Sequence, residues 1–187
     1  MIDEEALTVS GTSMPWYGIR LYSSRQEAVG EYFKEHGLEY FIPMQYVDYE
    51  DKEGRRQRKL RPVVRNLIFL RKSLPENEMR KLIGQCPHKM FVIRKHSEQP
   101  DYYEIPAREM QEFQIMCNPD ILMRKYLTQE EAALKAGTPV LVKFGPMKGL
   151  TGKLVRSSKK YYLLKEIPGM AVMLKVSRWC CVAMDEK

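Results

Sequence analysis

Reactive side chains and metal ligands are scarce in this chain. It has four cysteines and three histidines. Cys86, Cys117, Cys180 and Cys181 form no C-x-x-C, and Cys86-Pro87-His88 has no second pair to complete a tetrahedral metal site. A glycine-rich phosphate loop, a nucleophile elbow and a pair of catalytic carboxylates are also missing. Asp48, Glu50 and Asp51 cluster, but a charged turn accounts for them. No apolar run reaches the roughly 18 residues of a membrane span, and the acidic start MIDEEALTVSGTS lacks a basic-then-apolar export layout. These absences point away from an enzyme, a cofactor, a metal and a membrane. Free thiols and the missing export layout point to the cytoplasm, and the acidic start reads as a short disordered leader over residues 1–14.

What is present is an uneven charge. The net of +7 resides wholly in residues 137–187, with ten Lys/Arg against three Asp/Glu. Residues 1–136 balance, but residues 51–72 hold nine basic and two acidic groups. Two basic regions of this kind fit either a nucleic-acid partner or an ordinary solvated surface.

The first part of the chain reads strand, helix, strand, strand, helix, strand, helix. Trp16 to Tyr22 has the aromatic and branched character of a strand. Ser24-x-x-Glu27 predicts a capping box for a helix that Gly37 stops. Leu38 to Met44 is extended, Tyr46, Val47 and Tyr49 continue so, and Asp51 to Arg61 (DKEGRRQRKLR) reads as a polar hairpin loop turning at Gly54. Asn66 to Leu70 (NLIFL) is nearly all apolar, as a central strand buried on both faces would be. Short helices follow after Pro75 and Pro106, with Met90 to Arg94 extended between them. This order predicts an α+β domain over residues 15–117, an antiparallel sheet with helices packed on it. Ile121 to Ala136 gives no clear strand signal, although Thr128-x-x-Glu131 can cap a short helix, and is read as a linker over 118–136.

Val140 to Val155 (VLVKFGPMKGLTGKLV) reads as strand, tight turn, strand. Gly152 inside the second strand marks a bend or a close backbone approach. Further strands at Tyr161–Glu166, Ala171–Val176 and Trp179–Ala183 bring the total to five, the content of a small closed barrel over residues 137–187. Its density of Val, Leu and Tyr predicts strands there rather than a helical alternative.

The order V-x-V-x-x-G-P-x-x-G-x-x-G-x-[LV]-V resembles the KOW motif of NusG-type transcription factors. It is carried here by Val140, Val142, Gly145, Pro146, Gly149, Gly152 and Val155, with Lys148 in the turn. Trp16-Tyr17, His36-Gly37-Leu38-Glu39-Tyr40-Phe41-Ile42-Pro43 and Val63-Val64-Arg65-Asn66-Leu67-Ile68-Phe69-Leu70 are similar to the motifs of that family's N-terminal domain. The family's glycine after the first strand is Ser24 here, its proline is Arg65 and its tyrosine is Leu67. In this the chain looks like a specialised paralogue of the UpxY and RfaH group. The resemblance implies an SH3-like barrel behind the α+β domain and a factor acting in transcription elongation or antitermination.

It also implies partners. An apolar patch of Val64, Leu67 and Phe69, with Trp16 and Tyr17 supporting the sheet, would grip the clamp helices of RNA polymerase. Alternation puts Leu67 and Phe69 on one face, so both are core or both are interface. Arg20, Arg25 and Lys34, with Arg55, Arg56 and Arg58 of the hairpin, would touch non-template DNA or nascent RNA. The barrel would bind the ribosomal protein NusE or Rho through Phe144 to Lys148 and through Met147 and Leu150 as exposed apolar side chains. The alternative is an RNA-binding or ribosome-associated module, with Lys143, Lys148, Lys153, Lys159 and Lys160 for phosphate and Tyr161 or Tyr162 for stacking.

Overall fold

A computed structural model describes residues 14–121 and 123–184; of the expected leader only Met14 falls within them. The first sheet has the order β2-β5-β1-β6, from β1 (Trp16–Leu21), β2 (Tyr40–Phe41), β5 (Leu67–Arg71) and β6 (Met90–Val92), all antiparallel. The apolar run from Leu67 to Leu70 is central and wholly buried, as its composition required. Period-two alternation then divides its side chains. Ile68 and Leu70, with Tyr17 and Ile19 of β1, pack under α1 (Gln26–Glu35) and α2 (Glu76–Gln85). Leu67, Phe69 and Trp16 face the other way.

The expected capping box at Ser24 does not form. The N-cap of α1 is Arg25, without a side-chain cap. The start of the helix is instead fastened by buried Gln26, whose Nε2 donates to Val64 O (2.7 Å) and Leu67 O (2.6 Å). Gly37 stops the helix at φ +70°, where a Cβ would be strained. Tyr46, Val47 and Tyr49 are extended, in β3 (Met44–Glu50), but half of the polar stretch expected as a loop is strand: β4 (Arg56–Pro62) pairs with β3 in a two-stranded ribbon that turns at Gly54, as expected. The side chains of β4 are solvated along most of its length, so period two leaves no apolar trace there.

Six strands form the second sheet, in the order β12-β8-β9-β10-β11-β7. They are β7 (Arg124–Leu127), β8 (Thr138–Val142), β9 (Thr151–Ser157), β10 (Lys160–Ile167), β11 (Met170–Lys175) and β12 (Cys181–Ala183). The expectation of five strands closed as a barrel is corrected on two points. The stretch read as a linker supplies β7, and among the described residues no pairing joins β7 to β12. Four residues of mixed polarity are too few to show a period, which hides β7 in the sequence. The linker's other element, α4 (Gln129–Ala133), has the predicted capping box between Thr128 and Glu131. Gly152 is a close approach: a Cβ there would lie 2.6 Å from Leu164 O.

The two sheets do not have separate cores. Trp16, Leu67 and Phe69 share one cluster with Met110, Phe113 and Met116 of α3 (Ala107–Met116) and with Val140, Leu163, Ile167, Met170 and Val172 of the second sheet. The other face of that sheet packs Tyr162, Leu164, Ala171 and Met173 around Ala132 of α4. An apolar seam thus replaces the tethered arrangement that the linker reading implied. Leu67 and Phe69 alone place about 1.5–3 kcal/mol each in it by burial.

Candidate functional site

The face proposed for a partner is on the first sheet, and the second sheet covers it. Leu67, Phe69 and Trp16 are buried in the seam, Val64 is half-buried against it, and Tyr17 lies on the opposite face beneath the helices. The two-residue turn Pro168-Gly169 between β10 and β11 sits on β1 and β5. A Cβ at Gly18 would lie 3.3 Å from Pro168 O, and one at Gly169 would lie 2.9 Å from Leu67 Cδ1. Arg20 fastens this turn: Nη2 donates to Gly169 O (3.0 Å) and Nη1 to Asn66 Oδ1 (3.1 Å).

One charged cluster crosses the seam. Lys165 is in phase with Leu163 and Ile167 on β10, so its side chain meets α3 rather than water. Its Nζ reaches Glu112 Oε2 (2.6 Å), Glu109 Oε2 (2.8 Å) and Thr151 Oγ1 (3.1 Å). Glu112 also accepts from Thr151 Oγ1 (2.7 Å), Thr151 N (3.2 Å) and Arg108 Nε (3.2 Å). Burial works against its ionised form, but the bonds from Lys165 and Thr151 outweigh burial, and its pKa falls below the ordinary value. At the end of α3, Tyr126 donates to Cys117 O (3.4 Å), and burial raises the Cys117 thiol to about 12.

The expected nucleic-acid residues fall into two groups. On the ribbon, Arg55 is tied to Asp51 (3.1 Å) and to Glu53, and Arg58 lies 4.0 Å from Asp48 and 4.5 Å over the Tyr46 ring. Arg56 stands opposite Glu50 in the ribbon register. Asp51 itself is held below the usual carboxylate range, first by the backbone N–H of Arg55. Arg25 and Lys34 are exposed on α1, and Arg20 is engaged in the seam.

At the β8–β9 turn, Gly145 (φ +86°) and Gly149 (φ +95°) take backbone conformations that other residues rarely adopt. Lys148 N donates to Gly145 O, and Gly149 N to Val142 O. Pro146 and Lys148 are exposed and Val142 is buried. Phe144 is exposed as expected, but Leu150 is buried in the seam and Met147 is half-buried against it, so neither is the exposed contact expected of it.

A family model described as transcription termination factor nusG matches residues 14–114, just over half of the chain. The chain belongs to the NusG family. No curated protein matches it significantly. The matched part of this NusG-family chain runs from the start of β1 into α3, so it carries the covered face, the ribbon and both Glu109 and Glu112. The second sheet lies beyond it. Among the described residues no helix is long and apolar enough to cross a membrane, and no group of three or more His, Cys, Asp or Glu could hold a metal. Sequence reasoning missed Lys165 and Glu112. Alternation along β10 carried the only signal, a lysine in phase with Leu163 and Ile167.

Proposed function

We propose that this NusG-family chain is a transcription elongation or antitermination factor of the UpxY and RfaH type. It acts in the cytoplasm as a monomer, with no cofactor and no chemistry of its own. Its polymerase-binding face is Val64, Leu67 and Phe69, with Trp16 and Tyr17 supporting the sheet, and its partner there is the clamp helices of RNA polymerase. The family match over residues 14–114 carries this reading. Because the face is the floor of the seam, docking requires the second sheet to leave it. The clamp helices then replace one apolar partner by another, and the apparent affinity is reduced by the fraction of molecules that are open.

The second sheet is proposed to be the KOW unit, of SH3-like type over residues 137–187. In support, β12, β8, β9, β10 and β11 are neighbours in that order, and the glycine turn carries the motif residues. Released, it would offer NusE or Rho the turn around Phe144, and the α1 and ribbon arginines would meet non-template DNA or nascent RNA.

A second reading, RNA binding by the C-terminal part, is favoured by exposed aromatics. Trp179 is 92% exposed and Phe144 67%, while Arg156 and Arg178 flank the Tyr161 ring at 5.8 and 5.9 Å.

The test is retention of core RNA polymerase by the immobilised full chain. Retention is expected, and Val64→Asp placed in a variant whose seam is already loosened should weaken it about tenfold, the effect of one poorly replaced apolar contact. No retention by the native chain or by a variant with a loosened seam would refute the reading. RNA binding without polymerase binding would favour the second.

A further inference from the structure

Two arginines from opposite sides of the seam, Arg20 of β1 and Arg124 of β7, line one pocket of about 500 Å³. That volume is within the range of sites for small molecules. Both arginines are half-buried, and among the described residues neither forms an ion pair. The partners of Arg20 are neutral, Asn66 Oδ1 and Gly169 O. Arg124 donates from Nη1 to Asn118 O, and its guanidinium lies 5.0 Å from the centre of the Tyr126 ring. Its Nε is shut off from solvent and has no acceptor among the described residues. A buried donor left so costs stability, and like charges gathered on one pocket oppose its closing. An anion between the two arginines supplies the missing acceptor and turns repulsion into a bridge across the seam.

We propose that this pocket binds a small organic monocarboxylate, with its carboxylate between Arg20 and Arg124 and its apolar body against Val63, Val64 and Met170. Guanidinium groups match a carboxylate with paired donors. Met170 is buried and Val63 and Val64 are half-buried, so the lining has apolar surface to offer. Glu130 and Glu131 also line the pocket, from the exposed side of α4, and Glu131 already accepts from Thr128 N. Their charge makes a doubly ionised phosphate costlier to hold than a singly ionised carboxylate. Arg20, Val63 and Val64 belong to the first part of the chain, Arg124 and Met170 to the second sheet. The site is therefore complete only while the seam is closed, and a bound carboxylate holds the seam shut. What this does to polymerase binding rests on the proposed function; the site itself does not.

The experiment is a titration of the full chain with phenylacetate at constant ionic strength, followed by proton–nitrogen NMR of backbone and arginine side-chain N–H groups. The Arg124 Nε–H signal, the one missing from Arg124→Lys, should shift together with the Gly169 N–H. Both should saturate with a Kd of about 1 mM, the range of a fragment of roughly ten atoms. The neutral isostere phenylacetamide should bind about tenfold more weakly. Arg124→Gln should weaken phenylacetate binding about tenfold, and Arg124→Lys, which keeps the charge without the fork, should fall between. Arg156→Gln, on β9 outside the pocket, should match the native chain. At ten times its Kd, phenylacetate should raise the folded-to-unfolded ratio about elevenfold, a gain of about 3–6 °C in melting temperature, and should weaken polymerase retention by a similar factor. Shifts confined to other residues, or phenylacetamide binding as tightly, would overturn the inference. So would undiminished binding by Arg124→Gln with the rest of its spectrum native. Displacement of phenylacetate by a twelve-nucleotide single strand would overturn it too, and hand both arginines to nucleic acid. Saturable binding at Arg124 with polymerase retention unchanged supports the site and refutes the covered face as the place where polymerase docks.

Discussion

Replacing Lys165 by alanine tests the seam most sharply. The native ammonium is 4% exposed and sits among Glu112, Glu109 and Thr151. Its removal leaves the Glu112 carboxylate, itself 7% exposed, with the two Thr151 donors and a largely solvated Arg108. Orphaning one member of a buried pair costs about 3–5 kcal/mol, and the low end applies here because Thr151 still donates. The cost falls on the seam, where the two sheets are joined through α3. A double variant, Lys165→Met with Glu112→Met, removes both charges and keeps the volume, so it should return to within about 1.5 kcal/mol of native. Denaturant unfolding in a Trp179→Phe background reads this cleanly, because the remaining Trp16 lies in the seam. A loss under about 1 kcal/mol for Lys165→Ala, the level of a surface pair, would refute the reasoning and mean that water reaches the cluster in solution.

Three further outcomes follow from the same geometry. Glu112 has a folded pKa below its ordinary value of 4.5, so its contribution to the seam is complete above that value and is lost as pH falls through the folded one; Trp16 emission should be steady from neutral pH to about 5 and shift red only in stronger acid. Gly152→Val would drive a Cβ into Leu164 O, 2.6 Å away, and thermal unfolding should show a loss of about 2 kcal/mol or more. Cys117, buried and with its pKa raised to about 12, should resist iodoacetamide at pH 8 in the native chain and become reactive in Lys165→Ala, as mass spectrometry of the labelled peptides would show.

The sequence made the first sheet legible because its strands obey strong local rules. NLIFL could only be central, and Gly37, Pro106 and the Thr128 box mark element ends through backbone chemistry that tertiary contacts do not override. The first strand of the ribbon and its turn at Gly54 were legible, but β4 and β7 were not. One is almost wholly polar and solvated and the other is four residues long, so neither carries a hydrophobic period. Ser24 lost its cap because Gln26 found two buried carbonyls about forty residues away in the chain, a contact that no local pattern encodes. The candidate face was named by resemblance, and alternation correctly tied the fates of Leu67 and Phe69, but what covers them depends on a meeting of distant elements. The same holds for the cations. Arg55, Arg56 and Arg58 were conspicuous in a run of like charge, whereas Arg20 and Arg124, far apart in the chain, came to line one pocket only when the two sheets met.

The account turns on whether the face proposed for polymerase is the floor of the seam. The deciding measurement is the affinity of core RNA polymerase for three full chains: native, Lys165→Ala, and the Lys165→Met/Glu112→Met double variant. A seam loosened by about 3 kcal/mol should tighten apparent binding by tenfold to roughly a hundredfold, with the double variant close to native. Equal or weaker binding by Lys165→Ala, with its N-terminal sheet intact by circular dichroism, would contradict it.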